Sequence, residues 1–181
     1  MGELIFLNKK EKSKIFDSLS ACYGFEKFEM FDDYEIMSKK IMAKEKSDDS
    51  ELIFLMSRSI LDISLENLRI DSMGLFFGEL RKGKIKLGID GSHLIGKGCT
   101  KNILSLERAQ LNKYILGEDI VLHAVPDSSD QVIIESGGDF FGSAKVRIEH
   151  GGGIVINGLP KERRVSSIIK LAEDEEENII E

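Results

Sequence analysis

Apolar residues in this chain come in short bursts cut off by Gly, Ser, Asp or Lys, and that rhythm limits what it can build. YEIM (34–37), LIFLMSRSI (52–60), LFFGEL (75–80), QVIIES (131–136), SAKVRIE (143–149) and GIVING (153–158) have strand length and are rich in β-branched or aromatic residues. A run such as LIFLM (52–56) is far from the roughly 20 apolar residues that span a bilayer. The N-terminus lacks the basic, long-apolar, small-residue pattern of a secretory leader. The expectation is a soluble, cytoplasmic protein with no membrane partner.

Two segments carry helical spacing instead. In NKKEKSKIFDSLSACYG, Asn8 is placed to cap a helix, Ile15, Leu19, Cys22 and Tyr23 share one face, and Gly24 ends it. In SLERAQLNKYILG, Ser105 is the candidate N-cap, Leu106, Ala109 and Tyr114 recur at near-helical spacing, and Gly117 is the expected left-handed stop. The pattern thus starts again near residue 100. The chain reads as α+β in two compact units, residues 1–100 of mixed character and residues 101–170 mostly strand, followed by an acidic tail over 171–181. The tail is expected to be disordered or a frayed helix.

Net charge conceals where the cations are. Six of the acidic residues sit in AEDEEENIIE at the C-terminus, which leaves residues 1–172 at −1 of the formal −7. Within that body, Arg81, Lys82, Lys84, Lys86, Lys97 and Lys101 face only Asp90, a local excess of +5. A polyanionic partner is therefore compatible with the acidic total. RKGKIKLGID predicts a hairpin turning at Lys82 and Gly83, with Ile85 and Leu87 on one face and Lys84 and Lys86 on the other. In SAKVRIE the same alternation turns Ala144, Val146 and Ile148 to a core and Lys145 and Arg147 outward. After the next strand, the turn at Pro160 carries Lys161, Arg163 and Arg164. The Gly151–Gly153 run is suited to a hairpin between those two strands.

Other motifs point less far. GSHLIGKG (91–98) has the phosphate-loop spacing through Gly91, Gly96 and Lys97, but Gly98 stands where a magnesium-ligating hydroxyl belongs. A short helical turn with Leu94 and Ile95 in the core accounts for it better. His93, His123 and His150 lack metal-ligand spacing, and Cys22 and Cys99 form no CxxC pair, so no metal or cofactor is expected. The acidic pairs Asp32/Asp33 and Asp48/Asp49 lie in loop-like stretches. Gly137, Gly138 and Gly142 suit either a hairpin or close ligand approach, and Phe140 and Phe141 suit either a core or base stacking.

KYILGED (113–119) and INGLPKERR (156–164) resemble two segments of the PUA-type RNA-binding module at the C-terminus of Sun/Fmu-type RNA cytosine-5 methyltransferases. The likeness covers roughly residues 102–168, with Ile156 where that module often has Lys and Glu162 inside its basic run. YEIMSKKIM and SMGLFFGELRKGKIKLGIDGSHLIG are similar, more loosely, to the pre-PUA domain of small archaeal and eukaryotic ribosome-biogenesis proteins. Stand-alone archaeal proteins of this two-part form are grouped with the Sun/Nop/Fmu family and lack its methyltransferase domain.

The resemblance implies a pre-PUA-like domain (1–100) and a small PUA-like β-barrel domain (101–170). It implies non-enzymatic binding of structured RNA, ribosomal or transfer, in ribosome biogenesis, rRNA processing or RNA modification. Ribosome-assembly or RNA-modification proteins would be further partners. The RNA-binding candidates are Lys113, Gly117, Lys145, Arg147, Lys161, Arg163 and Arg164. Neither cysteine adjoins a Pro, as the nucleophile of those methyltransferases typically does, and no Gly-rich strand-to-helix loop for a methyl donor is present. Two alternatives stand beside this reading: a protein-interaction adaptor in ribosome assembly, and a small-molecule enzyme using Cys99 or the Gly91–Lys97 loop.

Overall fold

The computed structural model describes residues 4–41, 50–62, 74–123, 131–149 and 152–165. Asp48, Asp49, His150, Gly151 and the acidic tail lie outside these residues. The described chain is α+β, built on two five-stranded sheets. The first is antiparallel throughout and runs in chain order: β1 (Leu4–Phe6), β2 (Tyr34–Ile41), β3 (Ser50–Ser57), β4 (Leu75–Arg81) and β5 (Lys84–Leu87). The second comprises β6 (Ile103–Ser105), β7 (Ile120–Leu122), β8 (Gln131–Ser136), β9 (Asp139–Glu149) and β10 (Gly152–Ile156). Its spatial order is β6-β8-β9-β10-β7, with β6 parallel to β8 and the other pairs antiparallel.

Helix α1 (Lys9–Tyr23) begins where its cap chemistry dictates. The Asn8 side chain accepts from the Glu11 amide at 3.1 Å, and the Glu11 carboxylate accepts from the Asn8 amide at 2.9 Å. Gly24, at φ +62°, ends the helix in the left-handed region. Ile15, Leu19 and Tyr23 are buried together with Ile36, Ile53, Leu55, Phe77 and Ile85 of the first sheet. Lys82 (φ +50°) and Gly83 (φ +75°) form a two-residue turn between β4 and β5, so Ile85 and Leu87 point inward and Lys84 and Lys86 outward.

Helix α2 (Ile89–Ile95) lies against β4 and β9, and its glycines explain the phosphate-loop spacing. A Cβ on Gly91 would stand 2.0 Å from the Phe77 carbonyl oxygen, and one on Gly96 2.5 Å from the Phe140 ring. They are glycines because a strand and an aromatic ring occupy the space of a side chain. Phe140 is thereby a core residue.

The second core gathers Leu106, Tyr114, Ile120, Val132, Ile134, Val146 and Val155. Helix α3 (Arg108–Ile115) is capped by Glu107, which forms a capping box with Gln110, rather than by Ser105. Ser105 is instead the last residue of β6, and its hydroxyl is hydrogen-bonded to Glu135 on the paired strand. That bond, with the Gly138 amide at 2.7 Å, holds the Glu135 carboxyl below its ordinary pKa. Ile148 also departs from the simple alternation, since it is 68% exposed.

The two sheets meet at the open edge of β5. Among the described residues no further strand of its sheet satisfies that edge; side chains do. The Ile85 amide donates to Ser18 Oγ (2.9 Å) and the Leu87 amide to Ser143 Oγ (3.0 Å). The Ile85 carbonyl accepts from the Tyr23 hydroxyl (2.9 Å) and from Gln131 Nε2 (2.7 Å). Tyr23 and Ser143 are themselves hydrogen-bonded at 3.0 Å, and Gln131 donates to the Tyr23 hydroxyl. Burial pushes the Tyr23 phenol up to about 12, so it stays a donor at neutral pH. Each buried partner removed from such a network strands another, which makes this a stiff junction rather than a hinge.

Candidate nucleic-acid interface

The junction fixes how β9 faces the first sheet. Ser143 is tied under β5, and Lys145, the next residue on the same face of β9, is exposed beyond it. Arg81, Lys82, Lys84 and Lys86 from the β4–β5 hairpin and Lys145 from β9 line one concavity. Glu79, Gln131 and Ala144 complete its wall, so five cations stand against one carboxylate. Arg81, Lys82 and Lys84 each have a further interaction of their own, and a concavity lined mostly by cations raises the local concentration of anions.

Lys86 and Glu79 also line an adjoining cavity with Phe76, Ile89, Asp90, Phe141, Pro160 and Arg163. Arg163 Nη2 lies 3.6 Å from Asp90 Oδ2, with the two side chains 60% and 35% exposed. A solvated pair of that length contributes under about 1 kcal/mol, so it does not withhold the guanidinium from another anion.

The seven candidates from the sequence fall into separate roles. Lys145 and Arg163 are linked through Lys86, which touches both concavities. Arg147 is exposed two residues further along β9, on the face of Lys145. Lys113 on α3 and Lys161 in the 3-10 turn 161–163 are exposed but line neither concavity. Gly117 and Arg164 pack on each other: a Cβ on Gly117 (φ +96°) would stand 2.6 Å from Arg164 Cδ. Arg164 is half-buried, and its Nε donates to the Leu159 carbonyl at 3.1 Å. The space above Gly117 therefore holds the protein's own arginine.

The two segments that carried the PUA resemblance meet in space. Asn157 Nδ2 donates to the Tyr114 carbonyl (2.6 Å) and the Glu118 carbonyl (3.1 Å), while its amide donates to Asp119 Oδ1 (2.7 Å). The Gly158 amide donates to the Tyr114 hydroxyl (3.3 Å), and the Val165 amide to the Ile115 carbonyl (3.0 Å). Burial pushes the Tyr114 phenol up to about 12. These bonds fix where the chain leaves β10 and hence where Pro160 and Arg163 sit.

The hairpin cations were visible in the sequence as the excess over residues 81–101 and, for Lys84 and Lys86, as a shared outward face, but not as neighbours of Lys145. What assembles them into a site is the seating of β5 beside β9, a contact between residues far apart in the chain. The same excess spans Lys97 and Lys101, which line neither concavity.

The remaining reactive groups are placed as follows. Cys99 is buried, its Sγ donates to the Ile95 carbonyl at 3.5 Å, and burial pushes the thiol up to about 12, which disfavours the nucleophilic thiolate. The His93 ring lies 6.3 Å from that of Phe141. Gly137 and Gly138 make the β8–β9 turn at positive φ. Among the described residues no group of three or more His, Cys, Asp or Glu is arranged to hold a metal ion, and no helix is long and apolar enough to cross a membrane. No protein-family model matches the sequence, and neither does any curated protein.

Proposed function

We propose that this protein binds structured RNA, ribosomal or transfer, without a chemical step, as a cytoplasmic factor in ribosome biogenesis or RNA modification. In this reading residues 1–100 are a pre-PUA-like unit and residues 101–170 a PUA-like, barrel-type unit. The observation that carries the reading is the concavity where Arg81, Lys82, Lys84 and Lys86 meet Lys145. The cations come from two sheets joined by hydrogen bonds from β5 to Ser143 and Gln131, so the backbone that carries them is held before any ligand arrives. A rigid array of point charges suits the regular phosphates of a folded RNA. Arg163 and the exposed Arg147 extend it in two directions.

Electrostatic binding of this kind has a measurable signature. With four or five phosphates contacted, log affinity should fall against log salt with a slope of about −3 to −4. Filter binding or fluorescence anisotropy with a transfer RNA should then show about a hundredfold loss between 50 and 200 mM monovalent salt. Affinity independent of salt would rule out phosphate contacts as the basis of binding.

A further inference from the structure

The cavity beside the basic concavity differs from it in chemistry, and that difference suggests what it holds. It measures about 200 Å3 and is walled by Phe76 of β4 and Phe141 of β9, with two carboxylates, Glu79 and Asp90, at its margin. Pockets for drug-sized ligands run to roughly 300–1,000 Å3, so this one is on the scale of a single heterocycle. Glu79 and Lys86 stand directly opposite each other across β4 and β5, so one cross-strand pair faces both concavities. Among the described residues the Glu79 carboxylate makes no ion pair.

Resting on the RNA-binding reading, we infer that this cavity takes one unpaired guanine base of the bound RNA. Carboxylates at its margin repel phosphate, whereas the cations on either side attract it. A nucleotide whose phosphates lie on Lys86 and Arg163 would therefore turn its base, not its backbone, into the cavity. An aromatic wall accepts the face of any base. A carboxylate only accepts hydrogen bonds, so it favours a base edge that presents several N–H donors. Guanine offers its N1–H and 2-amino group side by side, while adenine and cytosine each offer a single amino group. The preference follows from Glu79, with Asp90 already shared with Arg163.

The test compares hairpin RNAs that differ at one unpaired position: guanine, adenine or an abasic site. The wild-type protein should bind the guanine form about tenfold tighter than the abasic form. The preference for guanine over adenine should collapse toward one in Glu79→Gln, and the preference for guanine over the abasic form should collapse in Phe141→Ala. If Phe141→Ala does not fold, the variant at the half-buried Glu79, Glu79→Gln, carries the test alone. Free guanosine monophosphate, which lacks the flanking phosphates, should bind far more weakly than the RNA. A wild-type ratio near one, an equal gain from adenine, or a preference for guanine over adenine untouched by Glu79→Gln would overturn the inference while leaving RNA binding intact. Failure of all three RNAs to bind would instead remove the RNA-binding reading, and this inference with it.

Discussion

Reversing Lys84, Lys86 and Lys145 to glutamate in one chain should weaken binding of structured RNA by at least about a hundredfold in 50 mM salt. The three are exposed and line the same concavity, so the change turns a lining of five cations and one acid into two cations and four acids. Each lost phosphate contact removes nearly one unit from the salt slope, and three new carboxylates add repulsion. The unfolding midpoint should stay within about 6 °C of the parent, because surface substitutions seldom exceed about 0.5 kcal/mol each. Reversing the exposed Lys9, Lys10 and Lys27, which change the net charge by the same amount elsewhere, should have a far smaller effect. Equal losses from the two triple variants would mean that total charge, not this surface, governs affinity.

Gly91→Ala should destabilise the fold by about 3 kcal/mol or more, lowering the thermal midpoint by roughly 6–12 °C for a chain of this size. Its Cβ would lie 2.0 Å from the Phe77 carbonyl oxygen, a backbone atom of β4 that also accepts the Gly88 amide at 3.0 Å and so has little room to swing aside. Either α2 lifts off β4 or the strand shifts, and both disturb the core around Phe77 and Ile95. Lys97→Ala, at an exposed position two residues past the end of α2, should change stability by less than about 0.5 kcal/mol. A stable Gly91→Ala protein would show that α2 packs less closely than described.

Where local chemistry decides, the sequence could be read directly. The Asn8–Glu11 box and Gly24 bound α1, and Lys82–Gly83 turns the hairpin, because those residues satisfy their own neighbourhood. Ser105 looked like a cap because a hydroxyl directly before a helical pattern usually is one; its side chain instead bonds Glu135 across the sheet. Ile148 kept the alternation of β9 but lies where that face opens to solvent. The same limit applies to the site. Lys145 and Arg163 were legible as exposed cations, yet nothing local to them indicated that Lys86 would stand between them. Arg164 and Gly117 were read as ligand-facing, and their mutual packing depends on how the segment after β10 returns to α3.

Crosslinking the full-length protein to a structured RNA, followed by mass spectrometric mapping of the modified residues, tests the central claim most directly. The account predicts adducts concentrated on residues 81–86 and 141–145 and on Pro160 and Arg163, the rims of the two adjoining concavities. Adducts confined to the outer face of α1 or to the β1–β2 edge, with these segments unmodified, would contradict it.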